Sequence, residues 1–547
     1  MIRRLLWWLL ALAPLFAAIG WAMFSAVLPE AHAAREALGD LRTTWSFADW
    51  DRTDGGPLHV VARLLHLAAL HVPGASVRSV VWLNVLCAVL IGSTLFSIAR
   101  RSFPSAKFAS GPLLIATIGL LVSSPAHGSN WLHGQRVGAF LAPLLLVVGL
   151  SWLQGQGRFV LRATGALLLA GLAPLCHANG IAVFLAMVPA LLARCRSGST
   201  ISAMAWLGVL LVVGNLAAWY ALRTADAFGV VGADLLHRVS SEPREMLGLL
   251  FAETGRAWLD VWPATRIDEQ AIGLFSWLLP ALLMIPVGRR DDAARLQAAP
   301  WWGCLCFGLA VTLVAGFRYE LQPPVGTMRE ATYGAFLLPL GAVGLLATRF
   351  GASLLPFAAG AFAVLGVQDW HGGLEQLRIA RTRAVRAVAE VAIDPQGVTR
   401  VFGSEAVQQQ LVARGWIPDE APIDARTAAV AAVPRRPEVG RSTGGRSAGG
   451  RVDQLRGTVR SSLRGVTPSW LGAVTRQGDG DPQLVAQHWP DFEGVGRDVA
   501  WRIPLDPPLT DGVRVRVVAW LPEERAFAAV GPRYVVSGGA LTVDNGP

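Results

Sequence analysis

From the N-terminus to about residue 367, long apolar runs alternate with short polar breaks. A helix that crosses a bilayer needs about 20 mainly apolar residues, with about 17 as the lower limit. On that measure the runs at 5–28, 77–98, 108–124, 137–153, 161–176, 180–193, 201–221, 272–288, 299–317, 333–348 and 351–367 predict about eleven spanning helices. The first run follows Arg3 and Arg4 and precedes Ala31-His32-Ala33, which resembles a cleavable signal. It is longer than the apolar core of a signal peptide, about 7–15 residues, so a retained first helix is expected.

Beyond residue 367 the pattern changes. Leu374, Leu377, Ala380, Val385, Val388 and Val391 recur at roughly helical spacing with arginines between them, predicting an amphipathic helix over 373–393. Val398–Phe402 predicts a short strand. The Gly/Arg-rich stretch from Pro434 to about Arg451 has too few apolar residues for a core and reads as a flexible linker. Ala500–Ile503, Val513–Trp520, Ala526–Val530 and Tyr534–Val536 read as strands separated by Pro, Gly and Asp turns. The expected fold is therefore an all-α polytopic membrane bundle over 1–367 and a connecting helix and α/β segment over 368–432. A linker over 433–458 and a small, mainly β, sandwich-like domain over 459–547 complete it.

Composition supports lipid as the solvent of the first part. Hydrophobic residues make up 53% of the 547 and charged residues only 16%, against about 25% charged in soluble domains. The formal charge of +10 does not point to nucleic acid, because the basic residues are not gathered on one soluble patch. Arg3 and Arg4, Arg100, Arg101 and Lys107, Arg158 and Arg162, Arg194 and Arg196, Arg289, Arg290 and Arg295, and Arg349 fall on alternate sides of successive spans. The positive-inside rule makes that side cytoplasmic, with a cytoplasmic N-terminus. The segments 29–76, 125–136, 222–271 and 318–332 and the C-terminal domain then lie outside a bacterial-type inner membrane. Cys87, Cys176, Cys304 and Cys306 lie in apolar runs and Cys195 in a basic turn, which predicts no disulfide framework.

The external segments hold the candidate chemistry. Asp49, Asp51 and Asp54 lie within six residues, just before Gly55-Gly56-Pro57. His59, Arg63 and His66 then recur about one turn apart on an amphipathic helix. Carboxylates beside a histidine and an arginine suit a general base or a divalent-metal site with an anion clamp. The same residues also fit a solvated acidic loop leading into an interfacial helix. Asn130, His133, Gln135 and Arg136 place hydrogen-bonding groups in the second external loop, and His177 and Asn179 interrupt an apolar hairpin. Polar groups at membrane depth usually face a cavity or a partner, though Asn179-Gly180 also suits a plain turn. Arg318, Glu320, Arg329 and Glu330 follow the ninth run. Guanidinium there suits phosphate as well as it suits a salt bridge with Glu320.

A first helix, a long acidic external loop, an amphipathic helix and a return span together resemble the GT-C superfamily of polytopic glycosyltransferases. The further marks are Ser124-Pro125, Asn130-Trp131-Leu132-His133-Gly134-Gln135, His177-Ala178-Asn179-Gly180, and Arg318, Arg329-Glu330 and Tyr333. The likeness covers the membrane half. It implies a sugar carried by a polyprenyl-phosphate donor, an acidic residue of the first loop as base or metal ligand, and an envelope lipid or glycan as acceptor. Many members have adjacent acids in that loop, whereas here the spacing is Asp49-x-Asp51-x-x-Asp54, which leaves open the acid that acts.

The leading expectation is therefore a membrane glycosyltransferase of the cell envelope. Asp49, Asp51 and Asp54 are its catalytic candidates. His59, Arg63, Asn130, His133, Arg136, His177, Asn179, Arg318, Glu320, Arg329 and Glu330 are its substrate-binding candidates, and a divalent metal is a possible cofactor. Two alternatives remain: an envelope lipid or polysaccharide transporter or flippase, and a non-catalytic membrane assembly protein. Walker-type and His-Glu-x-x-His motifs are absent from the sequence.

Overall fold

The computed structural model describes residues 2–25, 60–70, 72, 77–103, 110–124, 128–132, 136–155, 158–195, 206–216, 240–259, 270–278, 292–321 and 333–351. It also describes isolated positions between 355 and 377, and then 440–448, 451–460, 470–477, 483–488, 498–521 and 526–544. The chain divides into two compact units, one helical and one β.

The helical unit contains α1 (Ile2–Ser25), α2 (Val60–Leu70), α3 (Val77–Ser102), α4 (Ser110–Val122), α5 (Gly128–Leu132), α6 (Val137–Gln154), α7 (Phe159–Leu172) and α8 (Ala182–Cys195). It continues through α9 (Trp206–Leu216), α10 (Pro243–Leu259), α11 (270–278), α12 (Asp292–Leu321) and α13 (Leu337–Phe350). Among the described residues, three helical stretches are long and apolar enough to cross a membrane: Val81–Ser102, Val137–Gln154 and Ala293–Leu313. Shorter apolar helices include Phe159–Leu175, Asn179–Ala193, Trp206–Leu216 and Leu337–Phe350. The described helices thus carry fewer full-length spans than the eleven apolar runs predict. A tight turn, for instance, leaves α7 and α8 at 14 residues each.

Helix α3 shows how the bundle is organised. It buries Val81, Val85, Ala88, Ile91 and Leu95 and exposes Trp82, Leu86 and Leu90, large apolar side chains at a spacing of four. An apolar stripe of that size facing outward is what lipid contact requires and what water disfavours. Inside, α12 packs on α8 and α13. Gly344 of α13 lies so close to the Trp301 ring of α12 that a Cβ there would overlap it. Small residues at such crossings let helix backbones approach where no hydrophobic effect drives them together.

One expectation at the end of α12 is corrected. Arg318 and Glu320 lie in the last turn of a helix that runs to Leu321 rather than in a loop. Pro323 and Pro324 supply the stop, because the residue before a proline is disfavoured in the helical region.

The β unit has two antiparallel sheets. Strands β1 (Gly440–Ala448), β2 (Arg451–Arg460) and β5 (Asp498–Leu509) pair in the order β1-β2-β5. Strands β3 (Trp470–Gln477), β4 (Gln483–His488), β6 (Val513–Leu521), β7 (Ala526–Ser537) and β8 (Ala540–Val543) pair in the order β4-β3-β6-β7-β8. Val452, Leu455, Trp501 and Ile503 from one sheet share a core with Leu471, Val515, Val517 and Val530 from the other. The two strands expected at 526–530 and 534–536 are one strand, β7, with a register shift against β6.

The expected linker over 433–458 is corrected from 440 onward, where β1 and β2 form. Glycine-rich sequence lacks side chains for a core, but backbone pairing needs none. Gly444 and Gly445 of β1 pair with Arg456 and Leu455, and it is β2 that supplies buried Val452 and Leu455. Gly538 and Gly539, both at positive φ, turn β7 into β8 as a two-residue hairpin. Of the helix expected over 373–393, positions 373, 374 and 377 are described, as helical; the rest of it and the strand at 398–402 lie outside the described residues.

Candidate functional site

Hydrogen bonds to helix-terminal carbonyls distinguish two ends of the helical unit. At one, the C-termini of α4 and α5 present carbonyls that no helical N–H can reach. Side chains from distant parts of the chain supply the donors. The Tyr333 hydroxyl donates to the Val122 carbonyl at 3.0 Å, and Trp370 Nε1 donates to that of Leu120 at 3.1 Å. Trp131 Nε1 donates to the Ser124 carbonyl at 3.0 Å. Asn84 Nδ2, from within α3, donates to the carbonyls of Asn130 at 2.9 Å and Trp131 at 3.3 Å. An aromatic chain packs these donors in place. The Trp131 and Phe140 ring centroids are 5.1 Å apart, those of Phe140 and Tyr333 are 4.1 Å apart, and those of Tyr333 and Phe336 are 5.5 Å apart. Asn84, Asn130, Trp131 and Tyr333 are all buried.

The turn between α7 and α8 belongs to the same end. Gly138, near the start of α6, lies against the Cys176 carbonyl and 3.1 Å from the Ala62 side chain, measured from where its own Cβ would be. That contact joins α2, α6 and the turn at residues 173–181. Within the turn, His177 has extended backbone, and its Nδ1 accepts from the Asn179 N–H at 3.2 Å. The Gly180 N–H donates to the His177 carbonyl at 2.8 Å. An accepting Nδ1 means that a neutral His177 carries its proton on Nε2. His177 is half-buried and Asn179 buried.

The substrate-binding candidates therefore separate into groups. Arg63, half-buried on α2, and Arg136, exposed just before α6, reach this end together with Asn130, His177 and Asn179. Arg318 and Glu320 lie in α12. Asp49, Asp51, Asp54, His59, His133, Arg329 and Glu330 lie outside the described residues. Among the described residues, no three His, Cys, Asp or Glu side chains gather as metal ligands. Asn130 acts in the structure through its backbone, as a carbonyl held by Asn84, and His177 acts by shaping its own turn.

Asn84 is the residue that sequence reasoning missed. Its signal was present: it is one amide inside an apolar run, where a polar group is expensive unless it has a partner. The end so assembled has a rigid neutral floor of amide and aromatic donors and two guanidinium groups on the helices around it, a donor set suited to anionic oxygen. No protein-family model matches the chain, and neither a curated protein nor a solved structure matches it.

Proposed function

We propose that the protein is a polytopic membrane glycosyltransferase of GT-C type, with about eleven spans and its working end outside the cytoplasmic membrane. The observation that carries this reading is that Gly138 of α6 packs against Ala62 of α2 and the Cys176 carbonyl of the 173–181 turn, at the end of the bundle where Asn84 holds the carbonyls of α5. A first helix, a short helix α2 and a return helix α3 in that order support the same reading.

On this proposal a polyprenyl-phosphate sugar reaches the site laterally from the lipid, and Arg63 and Arg136 hold its phosphate, with Arg318 and Arg329 as further phosphate candidates. Among Asp49, Asp51 and Asp54, one carboxylate takes the proton of an acceptor hydroxyl as that oxygen attacks the anomeric carbon. The carbon–oxygen bond to phosphate breaks on the opposite face, the polyprenyl phosphate leaves with the bonding pair, and the configuration inverts. A divalent metal held by the remaining acids would offset charge on the departing phosphate. The β unit contributes to choice of the glycan or lipid acceptor.

Mass spectrometry of envelope glycolipids and polysaccharides tests this in wild type, a deletion strain, and an Asp49/Asp51/Asp54→Asn triple variant at normal abundance. The expected outcome is loss of the same sugar modification in the deletion strain and the triple variant. A modification lost only on deletion overturns the catalytic role of the acids and favours a transport or assembly function.

A further inference from the structure

At the opposite end of the helical unit, guanidinium groups reach the last carbonyls of α6, beside a neutral chain in which Gln154 Nε2 donates to Ser102 Oγ and Ser102 to the Gln297 carbonyl. Arg101, at the C-terminus of α3, donates from Nη1 to the Ser151 carbonyl at 3.0 Å. Arg162, in the first turn of α7, donates from Nη1 to the carbonyl of the next residue, Trp152, at 2.8 Å. The two cations therefore bracket the last turn of α6, where the helix dipole favours positive charge. Gly155 makes room for one of them, since a Cβ there would overlap the Arg162 guanidinium. Arg158 precedes Arg162 by one turn and is exposed.

A guanidinium has five N–H donors, and the α6 carbonyls engage few of them. The sequence segment that holds these arginines supplies no acid. Asp54 and Asp226 bound a stretch, 55–225, that contains no Asp or Glu at all. Beside these cations lies an apolar strip. Trp152 is 52% exposed, with its ring against Gly165 of α7, and Leu161 and Leu168 of α7 are 74% and 69% exposed. Positive charge at a helix end, an aromatic at its border and exposed leucines running along the helix match the order of phosphate, glycerol and acyl chain in a phospholipid.

We propose that the end of the bundle formed by Arg101, Arg158 and Arg162 is a binding site for an anionic phospholipid of the adjoining leaflet. The guanidinium groups take the phosphate, and Trp152, Leu161 and Leu168 hold the start of an acyl chain. The site rests on the membrane embedding of the bundle but not on glycosyl transfer.

The test uses the full chain in detergent micelles, titrated with phosphatidylglycerol, phosphatidylcholine or inorganic phosphate and followed by native mass spectrometry and thermal unfolding. Wild type is expected to bind phosphatidylglycerol about tenfold or more tightly than phosphatidylcholine. The Arg158→Gln/Arg162→Gln variant is expected to lose that preference to within about twofold. Gly155→Ala keeps every charge, moves the Arg162 guanidinium aside, and is expected to weaken the preference partly while circular dichroism remains that of wild type. Arg158→Gln alone leaves both α6 carbonyl contacts intact and is expected to reduce the preference without unfolding. Equal binding of the two lipids to wild type, or an unchanged preference in the double variant, overturns the proposal. Displacement of phosphatidylglycerol by millimolar inorganic phosphate overturns the lipid as ligand in favour of a soluble anion. Because the readout is lipid binding, failure here leaves the sugar-transfer experiment to stand or fall by its own result.

Discussion

The two ends of the helical unit face the same physical problem and solve it with opposite chemistry. Every helix leaves unpaired carbonyls at its C-terminus. At the end formed by α4, α5 and the 173–181 turn, the donors are neutral: Tyr333, Trp370, Trp131 and Asn84. At the end formed by α3, α6 and α7, the donors are Arg101 and Arg162. Neutral donors buried among aromatic rings hold a shape and carry no net charge, so they build a floor on which polar loops can stand. Guanidinium groups at a half-exposed end satisfy the carbonyls and still attract an anion. The difference shows that the charge of a helix cap, beyond its geometry, decides what can approach that end.

The largest expected effect is at the junction that assembles the neutral end. Gly138→Val places carbon atoms against the Cys176 backbone carbonyl and the Ala62 side chain, neither of which is the free tip of a flexible chain. Overpacking of this kind costs about 3 kcal/mol. The expected result is a much lower melting temperature in detergent and early proteolysis of the turn between α7 and α8. Wild-type stability in this variant would mean that α2 and the turn do not meet as described.

A middle-sized effect is expected at Asn84. Asn84→Leu keeps the number and branching of the side-chain heavy atoms and leaves two buried carbonyls without their amide donor, at a cost of about 2 kcal/mol. Denaturant unfolding measures it, and Asn84→Gln should recover only part, because the longer side chain displaces the amide. Loss of less than about 0.5 kcal/mol would show that water replaces the amide at this end as easily as at the other.

The smallest effect is expected at the charged end. Arg101 is exposed, so in Arg101→Gln water or the new amide satisfies the Ser151 carbonyl, and stability changes by no more than about 0.5 kcal/mol. Thermal unfolding in neutral detergent checks this. A loss as large as that of Asn84→Leu would erase the distinction between the two ends.

The sequence made part of this legible for identifiable reasons. Apolar runs located α3, α6 and α12, because length and hydropathy are local properties. Alternating valines and turn residues located β6 and β7 for the same reason. The misreading at 440–458 arose because strand pairing of Gly444 and Gly445 depends on the partner strand β2, and nothing in glycine-rich sequence announces a partner. Arg318 and Glu320 were misplaced by a few residues because apolar content fades before the helix ends, whereas Pro323 and Pro324 mark the true limit. Of the candidate site, the Asn130–Arg136 and His177–Asn179 groups were visible as polar breaks, while the residue that ties the first of them down was not singled out.

What the sequence determined by itself was the separation into an apolar helical half and a β-rich tail, together with the distribution of basic residues between successive runs. Those follow from composition and period along the chain. Only the tertiary structure decided that Asn84 holds the carbonyls of residues 46 and 47 positions away, and that Tyr333 caps a helix 211 positions earlier. Only it brought Arg101 and Arg162 to adjacent carbonyls of one turn. A hydrogen bond is satisfied by whichever donor is close in space, and closeness across so many residues is set by how the helices pack.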